Sequence, residues 1–306
     1  MPRLRKGHLD TTAADECSTL ACALRSVVPD QSACRVIDPD QAVNVAGLSR
    51  AIRVTLAIGL FTTTGLAQAE RALIQPAQIQ EAITLETTIE AQSATTAPTD
   101  TAWYVVLKGT TPVLITAPHA TQPYREGDYR YSDGAATAAL AKLLHSLTCA
   151  TVIYTQYRSP SDPNYYDDNA FKAQVAELIK QQKPQLLIDL HGSSTSRPYD
   201  VDFGTMEGAS LLGRTDIVSG LRKALRKEGL RNFSDNYFPA TKNQTLTRFA
   251  SSLGVPSVQL EINSTWLLPS VGDIYAQRFA QLLQGITRYI RNRTGNFDGA
   301  CRADAL

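Results

Sequence analysis

The chain has 306 residues, of which 43% are hydrophobic and 19% charged, with 30 Lys and Arg against 29 Asp and Glu and a formal net charge of +1. That length suits one large domain or two small ones, with ample apolar material for a core. Near-neutrality excludes the clustered positive excess on which nucleic-acid or polybasic membrane binding relies. Five cysteines without a C-x-x-C pair exclude a disulfide scaffold and the common cysteine-rich zinc modules.

Residues 1–49 hold Cys17, Cys22 and Cys34 and show no period of 2 or 3.6, so they are expected to be an extension outside the working protein. Residues 50–69 follow a different pattern. Arg50 and Arg53 flank an apolar run over 54–67, which closes on Ala67-Gln68-Ala69. A basic flank, a short apolar stretch and an A-x-A ending predict a secretory signal peptide. The run is shorter than the about 20 apolar residues of a membrane span. The expectation is export, to the periplasm or the exterior, from a translation start near residues 43–48. After cleavage only Cys149 and Cys301 would remain, either paired to staple the C-terminal tail or both free. Residues 70–101 are rich in Thr, Ala and Gln and read as a tether, with room for a short helix around 79–85.

From Trp103 onward β-branched runs alternate with helical periods. Strands are predicted at 103–107, 113–116, 152–155, 186–188 and 258–262. Helices are predicted after Asp133, where Ala136, Leu140, Leu143, Leu144 and Leu147 share a face, and around Phe171, Val175, Leu178 and Ile179. Three more are predicted over 207–228, over 245–253 and along the Phe279 to Ile290 stripe. Alternation of this kind predicts one α/β domain over 102–293, with a mostly parallel mixed sheet and helices on both faces, then a tail over 294–306. Ligand sites in such sheets lie beyond the carboxyl ends of the strands.

Two of the four histidines follow apolar strands directly, in Leu114-Ile115-Thr116-Ala117-Pro118-His119 and Leu186-Leu187-Ile188-Asp189-Leu190-His191-Gly192. A third strand, Val258-Gln259-Leu260-Glu261-Ile262-Asn263, carries a carboxylate in an apolar setting. An unpaired buried carboxylate costs several kcal/mol, so Glu261 must be protonated, paired or near a cation. Catalytic zinc takes about three imidazole or carboxylate ligands and a water, and residues at these strand ends could supply them. Asp189 and His191 alternate onto one strand face. Asp189 can therefore orient the imidazole by accepting its far N–H, or else close the strand through nearby backbone.

The segments Thr116-Ala117-Pro118-His119, Asp189-Leu190-His191-Gly192 and Gln259-Leu260-Glu261-Ile262-Asn263 resemble the N-formylglutamate amidohydrolase family, a relative of the zinc carboxypeptidases, over residues 103–292. The resemblance implies a zinc carboxypeptidase-like fold and a zinc-dependent hydrolase that cuts an amide next to a glutamate-like carboxylate. It implies His119 and His191 as zinc ligands and Glu261 as the general base. The carboxypeptidase pattern places a glutamate ligand three residues after the first histidine, where this chain has Gln122. Glu126, in Arg125-Glu126-Gly127-Asp128, is taken as the third ligand, with Asp133 as its rival or as a helix cap. The Asn-Arg pair that grips substrate carboxylate in carboxypeptidases is missing, with Asp162-Pro163-Asn164 in its stead. Arg125 and Arg197 are the candidate grips, because a guanidinium bonds both carboxylate oxygens. Gly192 is expected to permit close approach of backbone to metal or substrate, or else to be a strand-end turn.

The expected function is an exported zinc amidohydrolase acting on a small molecule or peptide bearing a carboxylate. The alternatives are a zinc peptidase acting on cell-wall peptides or poly-glutamate, and a non-catalytic binding domain. No nucleic-acid partner and no stable membrane span are expected, and the oligomeric state is left open.

Overall fold

Runs of Val, Ile and Leu too short for a helix form the strands, and amphipathic stretches between them cover the resulting sheet. The computed structural model describes residues 74–295 and Cys301, within one compact unit, Leu66–Leu306. The expected extension, the signal peptide and nearly all of the tail lie outside the described residues. In chain order the elements are α1 (Pro76–Gln92), β1 (Tyr104–Leu107), β2 (Thr111–Ala117), β3 (Tyr124–Arg125), β4 (Asp128–Tyr129), α2 (Ala136–Thr148) and β5 (Ala150–Thr155). They continue with α3 (Ala170–Gln182), β6 (Leu186–Ser193), β7 (Val201–Gly204), α4 (Asp216–Lys227), β8 (Phe233–Asp235), α5 (Leu246–Ser252), β9 (Ser257–Asn263) and α6 (Asp273–Thr294).

Seven strands form one sheet in the order β1-β5-β2-β6-β9-β7-β8. The central four, β5, β2, β6 and β9, are parallel, while β1 and β7 join them antiparallel. The sheet is mixed and mostly parallel, as the alternation predicts. Successive strand residues enter opposite layers. Val113, Ile115, Ile188 and Leu260 pack into the layer that includes Leu140, Leu221 and Phe279 of α2, α4 and α6, whereas Leu114, Leu187 and Ile153 meet Phe171, Val175 and Leu246 of α3 and α5. Among the described residues no helix is long and apolar enough to cross a membrane.

The segment read as a tether instead contains α1, which packs on α2 and buries Ala82 and Ile89. Its apolar residues are few and interspersed with Thr, Gln and Glu, so the stripe is faint in sequence. The helix expected over 207–228 begins only at Asp216, because Glu207, Gly208, Leu212 and Gly213 all take positive φ around a 3-10 turn. Strands β3, β4, β7 and β8 are two to four residues long, too short to show a period. Cys149 and Cys301 are free thiols. Ile188 is fully buried on the central strand β6. Ile188→Ala is expected to cost about 2–5 kcal/mol, read as a lower denaturation midpoint at unchanged m.

Candidate active site

β2, β6 and β9 are neighbours and run parallel, so their carboxyl ends meet on one edge of the sheet. Strand order reverses there, with β5 on one side of β2 and β6 on the other, and that crevice is where open α/β sheets bind ligands. His119 lies just past β2, His191 is near the end of β6, and Glu261 on β9 pairs directly with His191.

The two imidazoles meet edge to face, with ring centroids 5.0 Å apart. Asp133 reaches between them. Its Oδ2 is 2.7 Å from His191 Nδ1 and 3.5 Å from His119 Nδ1. The far nitrogens are also held by carboxylates: His119 Nε2 is 2.7 Å from Asp162 Oδ1, and His191 Nε2 is 3.0 Å from Asp189 Oδ2. Asp162 and Asp189 are buried, and the Thr116 hydroxyl donates to Asp189 Oδ1 at 2.5 Å.

Charge balance decides what this cluster can hold. If each Nε2 donates its proton to its own carboxylate, each Nδ1 turns a lone pair towards Asp133, and lone pairs repel unless a proton or a cation lies between them. Burial would push the His119 imidazole down, but the charges of Asp162 and Asp133 outweigh it and hold the group up at about 10. His191 is likewise raised, with Asp189 and Asp133 overcoming burial. Burial opposes ionisation of Asp133, yet the two imidazoles hold its carboxyl well below the usual range. One ligand atom from each of His119, Asp133 and His191 lies within 4.8 Å of the others. Two imidazoles and a carboxylate, each imidazole steadied through its far nitrogen, fit a divalent ion such as zinc.

Glu126 is not part of this cluster. It sits at positive φ in the turn between β3 and β4, half exposed, with Oε2 accepting from Arg130 at 2.7 Å and Oε1 from the Tyr165 hydroxyl at 2.7 Å. The carboxylate beside the imidazoles is that of Asp133, the rival position. Two contacts hold Asp133 there. Its N–H donates to the His119 carbonyl at 2.8 Å. A Cβ on Gly192 would come within 2.2 Å of the Asp133 carbonyl oxygen, so only glycine allows this approach. Asp133 does not cap α2, whose N-cap is Ala135 without a side-chain bond.

A cavity of about 540 Å³ opens over the cluster, lined by His119, Asp133, His191 and Glu261, by Arg125 and Arg197, and by the segment 237–243. Burial pushes the Glu261 carboxyl up to about 7, with His191 pulling against that shift and Asp133 adding to it. Arg197 donates to the Tyr237 hydroxyl at 2.9 Å and stacks over the Tyr237 and Phe238 rings at 5.3 and 5.0 Å. Arg125 lies 4.8 Å from the Tyr165 ring centre, with Nη1 3.8 Å from Asp162 Oδ2. Sequence reasoning missed the part played by Asp162, whose partner lies 43 residues away, and by Asn164, whose amide is 3.0 Å from His191 Nε2. The Asp162-Pro163-Asn164 motif stood out only as a departure from a clamp.

No family model matches the chain, and no curated protein matches it. Solved structures do. An N-formylglutamate amidohydrolase from Ralstonia eutropha JMP134 aligns at 15% identity and a TM-score of 0.43, covering 63% of this chain and 100% of the other. A bacteriophage poly-gamma-glutamate hydrolase aligns at 16% and 0.40, covering 63% and 92%. A metallo-carboxypeptidase from Burkholderia cenocepacia aligns at 12% and 0.39, covering 63% and 66%.

Asp162→Asn or Asp189→Asn is expected to weaken metal binding about 10–100-fold, and Asp133→Ala more severely, while Glu126→Ala leaves it unchanged. Competition with a chelating dye measures all four. Gly192→Ala should lose the metal with its circular dichroism intact, and full retention of metal in that variant would contradict the assigned role of the glycine.

Proposed function

We propose that this protein is an exported metal-dependent amidohydrolase, with zinc as the ion, that cleaves an amide next to a carboxylate. The observation that carries this reading is the convergence of His119, Asp133 and His191 below Glu261 in a cavity whose rim holds Arg125 and Arg197. The signal-like stretch over 50–69 supports export. A divalent ion held by His119, Asp133 and His191 would polarise a carbonyl and acidify water.

The chain's own groups would then act as follows. Arg125 or Arg197 takes the substrate carboxylate through two parallel N–H bonds. The aromatic rings beneath each guanidinium limit its freedom, so the substrate is held in few poses. Glu261 accepts a proton from water as the water oxygen bonds to the acyl carbon. The carbon–nitrogen bond breaks, and the same proton passes from Glu261 to the departing nitrogen, leaving a carboxylic acid and an amine. Burial, which favours the protonated form of the Glu261 carboxyl, helps it hold the proton between the two halves of that transfer. Asp162 and Asp189 keep the imidazoles in one orientation throughout.

The test uses the full chain. Stoichiometric zinc that is lost in His119→Ala, with turnover of N-formyl-L-glutamate, γ-glutamyl peptides or cell-wall peptides, is the expected result. Glu261→Gln should lower kcat by about 10²–10⁴-fold with zinc retained. Undiminished turnover in Glu261→Gln would refute the base, and bound zinc without hydrolysis of any of the three probes would point to a binding domain.

A further inference from the structure

Two rows of paired residues cross β6, β9 and β7, and His191, Glu261 and Gln259 among them line the cavity. One row pairs His191, Glu261 and Asp202, and the other pairs Asp189, Gln259 and Gly204. Two-residue alternation puts Gln259 on the same sheet face as Glu261. Gln259 is 4% exposed and lines the same cavity. Its Nε2 donates to Glu261 Oε1 at 2.8 Å.

The amide's other end is informative. Gln259 Oε1 is buried and has no hydrogen-bond partner. An interior amide normally turns so that both ends are satisfied. When Glu261 is ionised and ready to take a proton, the reverse orientation would set two acceptors face to face, so it is the amide nitrogen that holds the carboxylate. The contact with Glu261 therefore fixes the orientation at the expense of the other acceptor. Gly204, its partner on β7, lies against it: a Cβ there would clash with the Phe238 carbonyl oxygen at 2.4 Å and would also sit 3.2 Å from Gln259 Cβ.

We infer that Gln259 is a positioning residue for Glu261, tying down one carboxylate oxygen so that the other is presented to the reacting atoms. This rests on the reading of Glu261 as the proton-transferring base. Nothing in the sequence separates Gln259 from an ordinary half-buried strand residue. Its role follows from the register of β9 against β7 and from the unfilled oxygen.

A double-mutant cycle in the full-length protein tests it, with N-formyl-L-glutamate as probe. Gln259→Met keeps the volume and removes the donor. It is expected to lower kcat about 10-fold with KM and zinc content unchanged, and to cause no further loss when added to Glu261→Gln. Losses that add in the double variant, or that fall on KM or zinc content, overturn the proposal. A second measurement does not depend on turnover. In glutamine-labelled protein, the side-chain amide pair absent from Gln259→Met should be exchange-protected and should lose that protection in Glu261→Leu. Protection that persists in Glu261→Leu overturns the proposal whether or not the probe is cleaved. Protection that is lost, in a protein that cleaves no probe, upholds the positioning contact and rejects the hydrolase reading alone.

Discussion

A single carboxylate oxygen, Asp133 Oδ2, is shared by two imidazoles whose remaining nitrogens already face Asp162 and Asp189. Three acids around two bases, largely buried, leave an excess of negative charge that protons or a cation would balance. Much of the local architecture serves to keep that unfavourable arrangement together. The Thr116 hydroxyl holds Asp189, the His119 carbonyl holds the Asp133 backbone, and Gly192 leaves room for it. The backbone N–H of Asn164 and the side chain of Arg125 steady Asp162 from the other side.

The cavity's remaining wall is anchored with comparable care. Asp202, fully buried on β7, accepts the backbone N–H groups of Tyr237 and Phe238 at 3.0 and 2.8 Å, which fixes the start of the segment that supports Arg197. At its far end, the buried Lys172 donates to the Gln244 carbonyl, and the Asn164 side chain accepts from Leu246 N–H at 2.6 Å. Asn164 thus lies between the imidazole cluster, with its amide nitrogen 3.0 Å from His191 Nε2, and the wall that its amide oxygen holds. The cluster and this wall are therefore held in part by the same side chain, that of Asn164.

His119, His191 and Glu261 were legible because each interrupts or follows a short run of apolar residues, and a strand buried on both faces makes any polar intruder conspicuous. Asp189 was legible for a related reason, since a period of two carries its side chain to the face of His191. The third acid was not. Glu126 is nearer to His119 in sequence and has the longer side chain, yet the β3–β4 turn hands it to Arg130 and Tyr165. Asp133 stood only as the rival ligand or a helix cap, and the packing of its loop against Gly192 is what brings it to the imidazoles.

The sequence by itself determined which residues build the parallel centre of the sheet and which polar groups stand at its carboxyl edge, because periodicity and strand alternation act over a few residues. Tertiary structure decided the partners. Asp162 meets His119 across 43 residues, Asp133 meets His191 across 58, and Gln259 lies opposite Gly204 through the antiparallel pairing of β7 with β9. Such contacts depend on where loops land after the strands have ordered themselves, and no local pattern along the chain encodes that distance. The helix α1 belongs with them: its scattered apolar side chains carry little periodic signal, and it packs on α2.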